Sequence, residues 1–479
     1  MSNNNRFSLS LSALLFSSLC LPLSVHAAGL VEAQLSAAVQ HGARFKSGQL
    51  VVQYRVGADT AVRLQQAKFA PLKSAQVKFL KRQKFRQDGK GDLVLAKLTD
   101  GANSVGAMAA AIEQIKQDPA VEYAEPNWVL HHLPVTQPMP VPDDEFYLSG
   151  DLWGMYGDMT DPANPYGSQA AEVWRTGKHP TDCSDIYVGL IDEGIMTDHP
   201  DLSASIWQNT FDPEDGIDND GNGFIDDVNG WDFYNNDNSI NDGPFVSFHG
   251  THIAGVISAE GNNGIGVAGV CWKAKLISAK FMDFDGGDTV NAIKAIDYIT
   301  DLKLRHKLNI VATNNSWGGG GFSQAMIDAI KRAEKADILF VAAAGNDGTD
   351  NDVEPLYPAS YTNNNIISVA SLDQFGQRSS FSNFGKKSVD IAAPGEEIMS
   401  TIPPLFDFGF IYGIDSGTSM AAPFVTGAVA IYAHYHPHSK AQKIKKAILR
   451  SAEPTPDFES NTVSGGRLNI PNALRKRHY

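Results

Sequence analysis

Apolar runs alternate with helical segments through most of the chain. The runs are short and rich in Val, Ile and Ala: Ile186–Ile191, Leu276–Phe281, Ile310–Thr313, Ile338–Ala344, Ile366–Ala370 and Val389–Ala392. Between them, Thr289–Leu304 and Ser323–Ala336 have apolar residues at helical spacing. This alternation predicts an α/β fold, a three-layer arrangement in which a mainly parallel sheet has helices on both faces. Ligand sites in such folds gather at the carboxyl ends of the strands.

Residues 28–132 have a different pattern. The spacing predicts, in chain order, a strand at Leu50–Arg55, a helical or irregular segment at Thr60–Phe69, strands at Gln76–Lys81 and Asp92–Leu98, a helix at Ser104–Gln117 and an extended segment at Val121–Asn127. This is the split βαβ order, which predicts a small α+β domain of the ferredoxin-like type. A Pro-rich linker at 133–142 follows and separates it from a main domain at 143–479, because such stretches stay extended and exposed.

The first 27 residues have the features of a secretory signal peptide. A basic residue, Arg6, precedes an apolar segment from Leu9 to Leu23, and Val25-His26-Ala27 provides a small-x-small cleavage site. The segment is short for a transmembrane anchor, and its end matches a cleavage site. We therefore expect a secreted protein, and the sequence leaves open whether it stays in the periplasm or reaches the medium.

The formal net charge of −15 is unevenly distributed. Acidic residues dominate 133–479, whereas 28–132 carries a basic excess. An acidic main domain argues against nucleic acid and anionic membrane as partners. The same asymmetry makes the N-terminal domain a plausible electrostatic partner for the rest of the chain.

Three polar residues stand at positions suited to nucleophilic catalysis. Ser419 lies between small residues just before an apolar run to Tyr435, which predicts a tight turn that opens a buried helix. Asp192 ends the first apolar run, and His249 precedes a helix of small residues. A serine needs a base that is itself oriented by a third group. The order Asp, His, Ser is that of one of the convergent catalytic triads.

The motifs around these residues resemble those of the subtilisin-like serine proteases, or subtilases, over about 142–479. They are D-E-G from Asp192, H-G-T-H-I-A-G from His249 and G-T-S-M-A-A-P from Gly417. The resemblance implies a subtilisin-like fold and a serine endopeptidase that acts on proteins or peptides through an acyl-enzyme. Ser419 would be the nucleophile, His249 the base and Asp192 the group that orients the base.

The same resemblance implies further site residues. Asn346, in the string A-A-G-N, would donate a hydrogen bond to the oxyanion together with the Ser419 N–H. Substrate would lie between two walls formed by Ser316, Trp317 and Gly318 on one side and Ala343 and Gly345 on the other. Glu193 stands where the family usually has Ser or Thr, and its negative charge could shift the pKa of His249.

Two calcium sites are expected. Residues 218–229 resemble an EF-hand loop, with ligands from Asp218, Asp220, Asn222, Asp226 and the carbonyl of Phe224, although Asn229 replaces the bidentate Glu. The alternative is a merely solvated acidic loop. The resemblance alone implies the second site, which would consist of Asp144, Asp201 and Asn263 with the carbonyls of Gly261, Ile265 and Val267.

By the same resemblance, residues 28–132 would be an inhibitory propeptide that the enzyme removes by cutting within the linker. The alternative is a permanent N-terminal domain. The signal peptide contains one of the three cysteines, and the other two, Cys183 and Cys271, precede strands that are parallel neighbours in subtilases. The resemblance therefore implies a disulfide between them. We expect a monomer.

Two other function classes compete with this interpretation. A catalytically silent peptide-binding protein could use the same scaffold. An esterase or lipase of the α/β-hydrolase type would need G-x-S-x-G and the order Ser, Asp, His, and neither occurs in this sequence.

Overall fold

The computed structural model describes residues 23–40, 45–60, 76–82, 90–98, 104–129, 142–176, 181–243, 247–404 and 409–475. The chain divides into two compact units, Met1–Val135 and Thr136–Tyr479. Most of the expected signal peptide, the expected segment Thr60–Phe69 apart from Thr60, and nearly all of the linker lie outside the described residues. No helix in the described ranges is long and apolar enough to cross a membrane.

The first unit consists of helices and an antiparallel sheet. Its described elements are α1 (Leu23–Gln40), β1 (Phe45–Tyr54), β2 (Gln76–Lys81), β3 (Leu93–Lys97), α2 (Val105–Lys116) and β4 (Val121–Trp128). The strands pair antiparallel in the order β2-β3-β1-β4, which is the strand order of the split βαβ arrangement. Alternate residues of β1, such as Leu50 and Val52, are buried in one core with Ile112 and Ile115 of α2. Sequence patterns gave no sign of α1 because many of its apolar positions are alanine, which provides little periodic contrast.

The second unit contains a large sheet, two small hairpins and most of the described α-helices. Its strands are β5 (Tyr187–Asp192), β6 (Gly230–Asp232), β7 (Lys275–Lys280), β8 (Met282–Asp283), β9 (Gly286–Gly287), β10 (Ile310–Asn315), β11 (Leu339–Ala343), β12 (Ile366–Leu372), β13 (Ile391–Pro394), β14 (Ile398–Thr401), β15 (Tyr412–Asp415), β16 (Glu453–Pro454) and β17 (Gly466–Arg467). Its α-helices are α3 (Glu145–Ser149), α4 (Ala170–Trp174), α5 (Phe248–Ser258), α6 (Thr289–His306), α7 (Gln324–Lys335), α8 (Thr418–Tyr435), α9 (Ala441–Arg450) and α10 (Ile470–Leu474).

The large sheet has the order β16-β17-β13-β12-β11-β10-β5-β7-β6 within the described residues. Every pairing is parallel except that of β16 with β17. Both faces of the sheet are buried, as β11 shows. Leu339 and Val341 face one apolar core with α5 and α8, and Phe340 and Ala342 face another with α6 and α7. The predicted three-layer, mainly parallel fold is therefore confirmed.

A disulfide connects the segments that lead into β5 and β7. These strands pair in parallel with Tyr187 opposite Lys275, so Cys183 and Cys271 reach the same edge of the sheet. Their Cα atoms are 5.8 Å apart, and the two buried sulfur atoms are bonded. The predicted pairing is present.

The strand order changes direction beside β5. On one side the sheet continues through β7 and β6, and on the other side through β10 to β13. A crevice forms at the carboxyl ends of strands where such a reversal occurs. Asp192 ends β5, Ser316 follows β10, and Asn346 lies shortly after β11. The fold thus brings three predicted site residues to one edge of the sheet.

Candidate active site

Ser419 lies in the first turn of α8 and is connected to the end of β10. Pro423, inside this helix, has no N–H to donate to the Ser419 carbonyl four residues earlier. The Ser316 hydroxyl donates to that carbonyl instead, at 2.8 Å. In turn, the Ser419 hydroxyl donates to the Ser316 carbonyl at 3.2 Å. This reciprocal pair fixes the serine against the sheet.

A buried polar chain supports Ser316 from behind. The Asn314 side-chain amide donates to the Ser316 hydroxyl at 3.0 Å, and the Thr426 hydroxyl donates to the Asn314 amide oxygen at 2.8 Å. Asn314 and Thr426 are fully buried. No motif in the sequence marks these two residues, because each is a single polar residue whose partner lies in a distant segment.

His249 and Asp192 are in direct contact. The Asp192 carboxylate accepts a hydrogen bond from the His249 Nδ1 at 2.8 Å. Asp192 is 1% exposed, whereas the His249 side chain is 27% exposed. No hydrogen bond joins the His249 ring to the Ser419 hydroxyl among the described residues. Catalytic hydrogen bonds often tighten only when substrate binds.

Negative charges dominate the surroundings of His249. Burial acts to lower the pKa of the imidazole, but the charge and hydrogen bond of Asp192 oppose it, together with the charges of Glu193 and Asp415. The net effect raises the pKa of His249 to about 9. Glu193, which stands where the family usually has Ser or Thr, is thus one of the charges that act on this ring.

Two hydrogen-bond donors border one small space beside Ser419. The Asn346 side-chain oxygen accepts from both the N–H and the hydroxyl of Thr418 at 2.9 Å, which leaves the Asn346 NH₂ group available as a donor. The Ser419 N–H has no acceptor in the part of the chain that the structure describes. A Cβ atom built on Gly417 would lie 3.4 Å from the Asn346 Nδ2 and 3.5 Å from the Ser419 N. The two donors can therefore reach the same developing oxyanion.

The Leu356 side chain lies close to both expected substrate walls. A Cβ atom built on Gly318 would lie 3.1 Å from the Leu356 Cδ2, and one built on Gly345 would lie 2.5 Å from the same methyl group. Trp317 is held in the first wall by edge-on packing against Phe281, with ring centroids 4.9 Å apart. Ala343, in the second wall, is buried at the end of β11. The Leu356 side chain thus packs against both walls.

The expected calcium site around Asp144 and Asp201 has the chemistry of a cation site. One oxygen of Asp144 is buried without a partner among the described residues, and the other accepts the Asn262 N–H at 2.7 Å. Asp201 accepts from the Asn263 side chain at 2.7 Å and from the Val267 N–H at 2.9 Å. Burial raises the pKa of both carboxyls to about 6, and a divalent cation would offset this cost. The residues therefore fit calcium.

The loop at 218–229 folds around its own backbone in part as an EF-hand loop does. Asp218 and Asp220 both accept the Asn222 N–H, at 3.0 and 2.9 Å, and Asn222 accepts the Phe224 N–H at 2.7 Å. The Asp226 carboxylate accepts N–H groups from Asp215 and Gly216 instead. In the described ranges, no cluster of three or more His, Cys, Asp or Glu side chains is arranged to hold a metal. Amide and carbonyl oxygens would therefore have to complete either site.

Comparisons with known proteins agree on one family. The model of the subtilase family matches residues 184–469. A thermophilic serine proteinase from Bacillus sp. (strain AK1) is 32% identical over 77% of this chain and 77% of its own length. Thermitase from Thermoactinomyces vulgaris is 33% identical over 60% of this chain and 87% of its own. The structure of a protease from Pseudoalteromonas arctica matches with a TM-score of 0.56 and 25% identity, over 70% of this chain and 99% of that one.

The His249 pKa predicts an alkaline enzyme. A base must be neutral to accept a proton, and neutral imidazole accumulates as the pH rises through a pKa of about 9. We expect kcat/KM for a peptide substrate to rise with a midpoint near that pH, so that at pH 7 about 1% of the plateau value remains. The measurement is a pH profile of kcat/KM from pH 6 to 11. A flat profile between pH 7 and 10 would contradict the prediction.

Proposed function

Because the chain belongs to the subtilase family and is a serine endopeptidase, we propose that Ser419, His249 and Asp192 carry out its cleavage of proteins. The observation on which the proposal rests is the 2.8 Å hydrogen bond between Asp192 and His249. This hydrogen bond lies at the sheet edge that Ser419 of α8 also reaches. The Asn346 NH₂ group and the Ser419 N–H border the space beside that serine.

In the proposed reaction, the Ser419 oxygen attacks the carbonyl of the scissile peptide bond. The His249 Nε2 accepts the hydroxyl proton and later delivers it to the leaving amine, while Asp192 orients the ring and stabilises its charged form. The Asn346 NH₂ group and the Ser419 N–H bind the oxyanion, and loss of one such donor costs about 3 kcal/mol. Water then hydrolyses the acyl-enzyme.

We further propose that the chain is the precursor of a secreted monomer. Residues 1–27 would be removed as a signal peptide, and 28–132 would act as an inhibitory propeptide until the enzyme cuts within 133–142. The compactness of the first unit and its separate apolar core support an independent domain. Its basic excess suits an acidic partner such as the catalytic domain.

Two structural calcium ions belong to the proposal. The residues suited to the first are Asp144, Asp201 and Asn263, with the carbonyls of Gly261, Ile265 and Val267. The residues suited to the second are those of the loop at 218–229. A bound ion would supply positive charge next to buried carboxylates and would stabilise the folded domain.

Leu356 gives the proposed pocket a size limit. Its methyl group lies next to both walls, so a large substrate side chain would have to displace it from Gly318 and Gly345. We propose that the enzyme prefers small side chains, such as alanine, on the amino side of the scissile bond.

Replacement of Ser419 tests the catalytic proposal. We expect Ser419→Ala to lose labelling by a fluorophosphonate probe and to accumulate as an unprocessed precursor in a protease-free host, because the attacking oxygen is gone. Ser416→Ala, at an exposed serine nearby, is the matched control and should behave as the wild type. An unlabelled wild type would instead favour a silent peptide-binding protein, and normal maturation of Ser419→Ala would show that another protease makes the cut.

Removal of calcium should destabilise the mature enzyme. Calcium at a hundred times its Kd contributes about 2.7 kcal/mol to folding, so we expect a chelator to lower Tm by several degrees and added calcium to restore it. Asp144→Asn should have a lower Tm and a smaller response to the chelator. Differential scanning calorimetry measures both, and an unchanged Tm would count against structural calcium.

A smaller residue at position 356 should widen the pocket. We expect Leu356→Gly to raise kcat/KM for a peptide with phenylalanine before the scissile bond by about tenfold or more relative to one with alanine. Val353→Ala, at an exposed position of the same segment, should leave the ratio unchanged. The proposal would be wrong if the wild-type enzyme already preferred phenylalanine.

A further inference from the structure

Two consecutive residues at the end of β5 both bind His249, one at its ring and the other at its backbone. Asp192 accepts from the ring Nδ1 at 2.8 Å, and a carboxylate oxygen of Glu193 accepts from the backbone N–H at 2.6 Å. The segment packs closely on the helix, because a Cβ atom built on Gly250 would lie 2.0 Å from the Gly194 carbonyl oxygen. The turn after β5 and the first turn of α5 are therefore in close contact.

Glu193 accepts a hydrogen bond from the first turn of α5, which the side chain of the N-cap residue of that helix does not do. The first N–H groups of a helix have no acceptor within the helix, and a side chain usually supplies one. The side chain of the N-cap residue Ser247 accepts no hydrogen bond from the helix, and its single hydroxyl proton faces the Asn241 side-chain oxygen and the Gly243 carbonyl. The Glu193 carboxylate caps His249 from a different element. A negative charge is also favourable at this end of a helix.

The charges that face Glu193 are mostly of its own sign. Asp192 precedes it on β5 and Asp283 faces it from β8, while His249 faces it from α5. Asp415 on β15 acts on the His249 ring. The ammonium of Lys280, next to Asp192 in the sheet, binds Asp232 at 2.6 Å and Asp242 at 2.9 Å instead. The His249 imidazolium is therefore the cation whose formation Glu193 can favour.

We propose that Glu193 is a positioning residue for His249, which holds the first turn of α5 against β5 and stabilises the charged imidazole during catalysis. The inference rests on the proposed role of His249 as the base. It assigns two separable effects to one carboxylate, namely a hydrogen bond to the backbone and a charge beside the ring.

Two substitutions separate these effects. Glu193→Gln keeps an oxygen that can accept the His249 N–H but removes the charge, whereas Glu193→Ala removes both. We expect both variants to move the acid limb of the kcat/KM profile to lower pH by about half a unit, because a neighbouring negative charge is gone. Plateau kcat should stay within about twofold of the wild type in Glu193→Gln and fall about tenfold in Glu193→Ala. KM should change little in either variant.

Asp283→Asn is the matched control, because it removes a nearby charge that makes no hydrogen bond to His249. Its plateau kcat should equal that of the wild type, and the acid limb of its kcat/KM profile should move less than that of Glu193→Gln.

An unmoved acid limb in Glu193→Gln, or equal plateau kcat values in the two Glu193 variants, would overturn the proposal. If Glu193→Ala fails to fold, the pH midpoint of the acid limb of Glu193→Gln decides the proposal by itself. Fluorophosphonate labelling of the wild type tests the proposed function separately, so a labelled enzyme with an unmoved limb refutes only the role of Glu193.

Discussion

Parallel pairing of β5, β10 and β11 is the constraint on which the site depends. Because parallel strands end at one edge, the residues that follow them meet there although they are far apart in the sequence. Asp192, Ser316 and Asn346 reach this edge from three strands. Helix α8, apolar on all sides and buried against the sheet, adds Ser419 from the far end of the chain. The packing that forms the apolar core therefore also brings the site residues together.

Local backbone chemistry then refines the position of the serine. Pro423 leaves the Ser419 carbonyl without its helical donor, and the Ser316 hydroxyl supplies a donor from the sheet. Gly417 leaves open the space that the Asn346 amide and the Ser419 N–H border. A helix terminus with unpaired N–H groups is an inherent feature of helices. Here the Asn346 amide joins the Ser419 N–H at one space, as the proposed oxyanion site requires.

The distribution of charge around this edge is one-sided. Asp192, Glu193 and Asp415 all act on one imidazole, and they raise its pKa against the effect of burial. On the neighbouring strand β7, by contrast, a positive charge balances the carboxylates. Lys280 is fully buried there, and its ammonium binds two aspartates. The ammonium therefore balances carboxylates away from His249. As a result, an ionisable histidine remains beside carboxylates that no lysine in the described part of the chain neutralises.

The sequence by itself determined the class of fold and the identity of the motif residues. Runs of Val, Ile and Ala buried on both faces are typical of parallel strands, so the pattern of the runs predicted the sheet. The motifs around Asp192, His249 and Ser419 are local strings and could be identified without coordinates. The disulfide between Cys183 and Cys271 could be predicted once the strands that follow them were taken as parallel neighbours, as in subtilases. Helix α1 was missed, because alanine provides little contrast between a buried and an exposed face.

Only the tertiary structure decided contacts between segments that lie far apart in the sequence. Three examples are the buried links from Thr426 through Asn314 to Ser316, the packing of Leu356 against both walls, and the hydrogen bond from the His249 N–H to Glu193. No periodicity encodes them, because each depends on the distance between elements after packing. The sequence thus specifies which groups are present, and the packed sheet determines which of them touch.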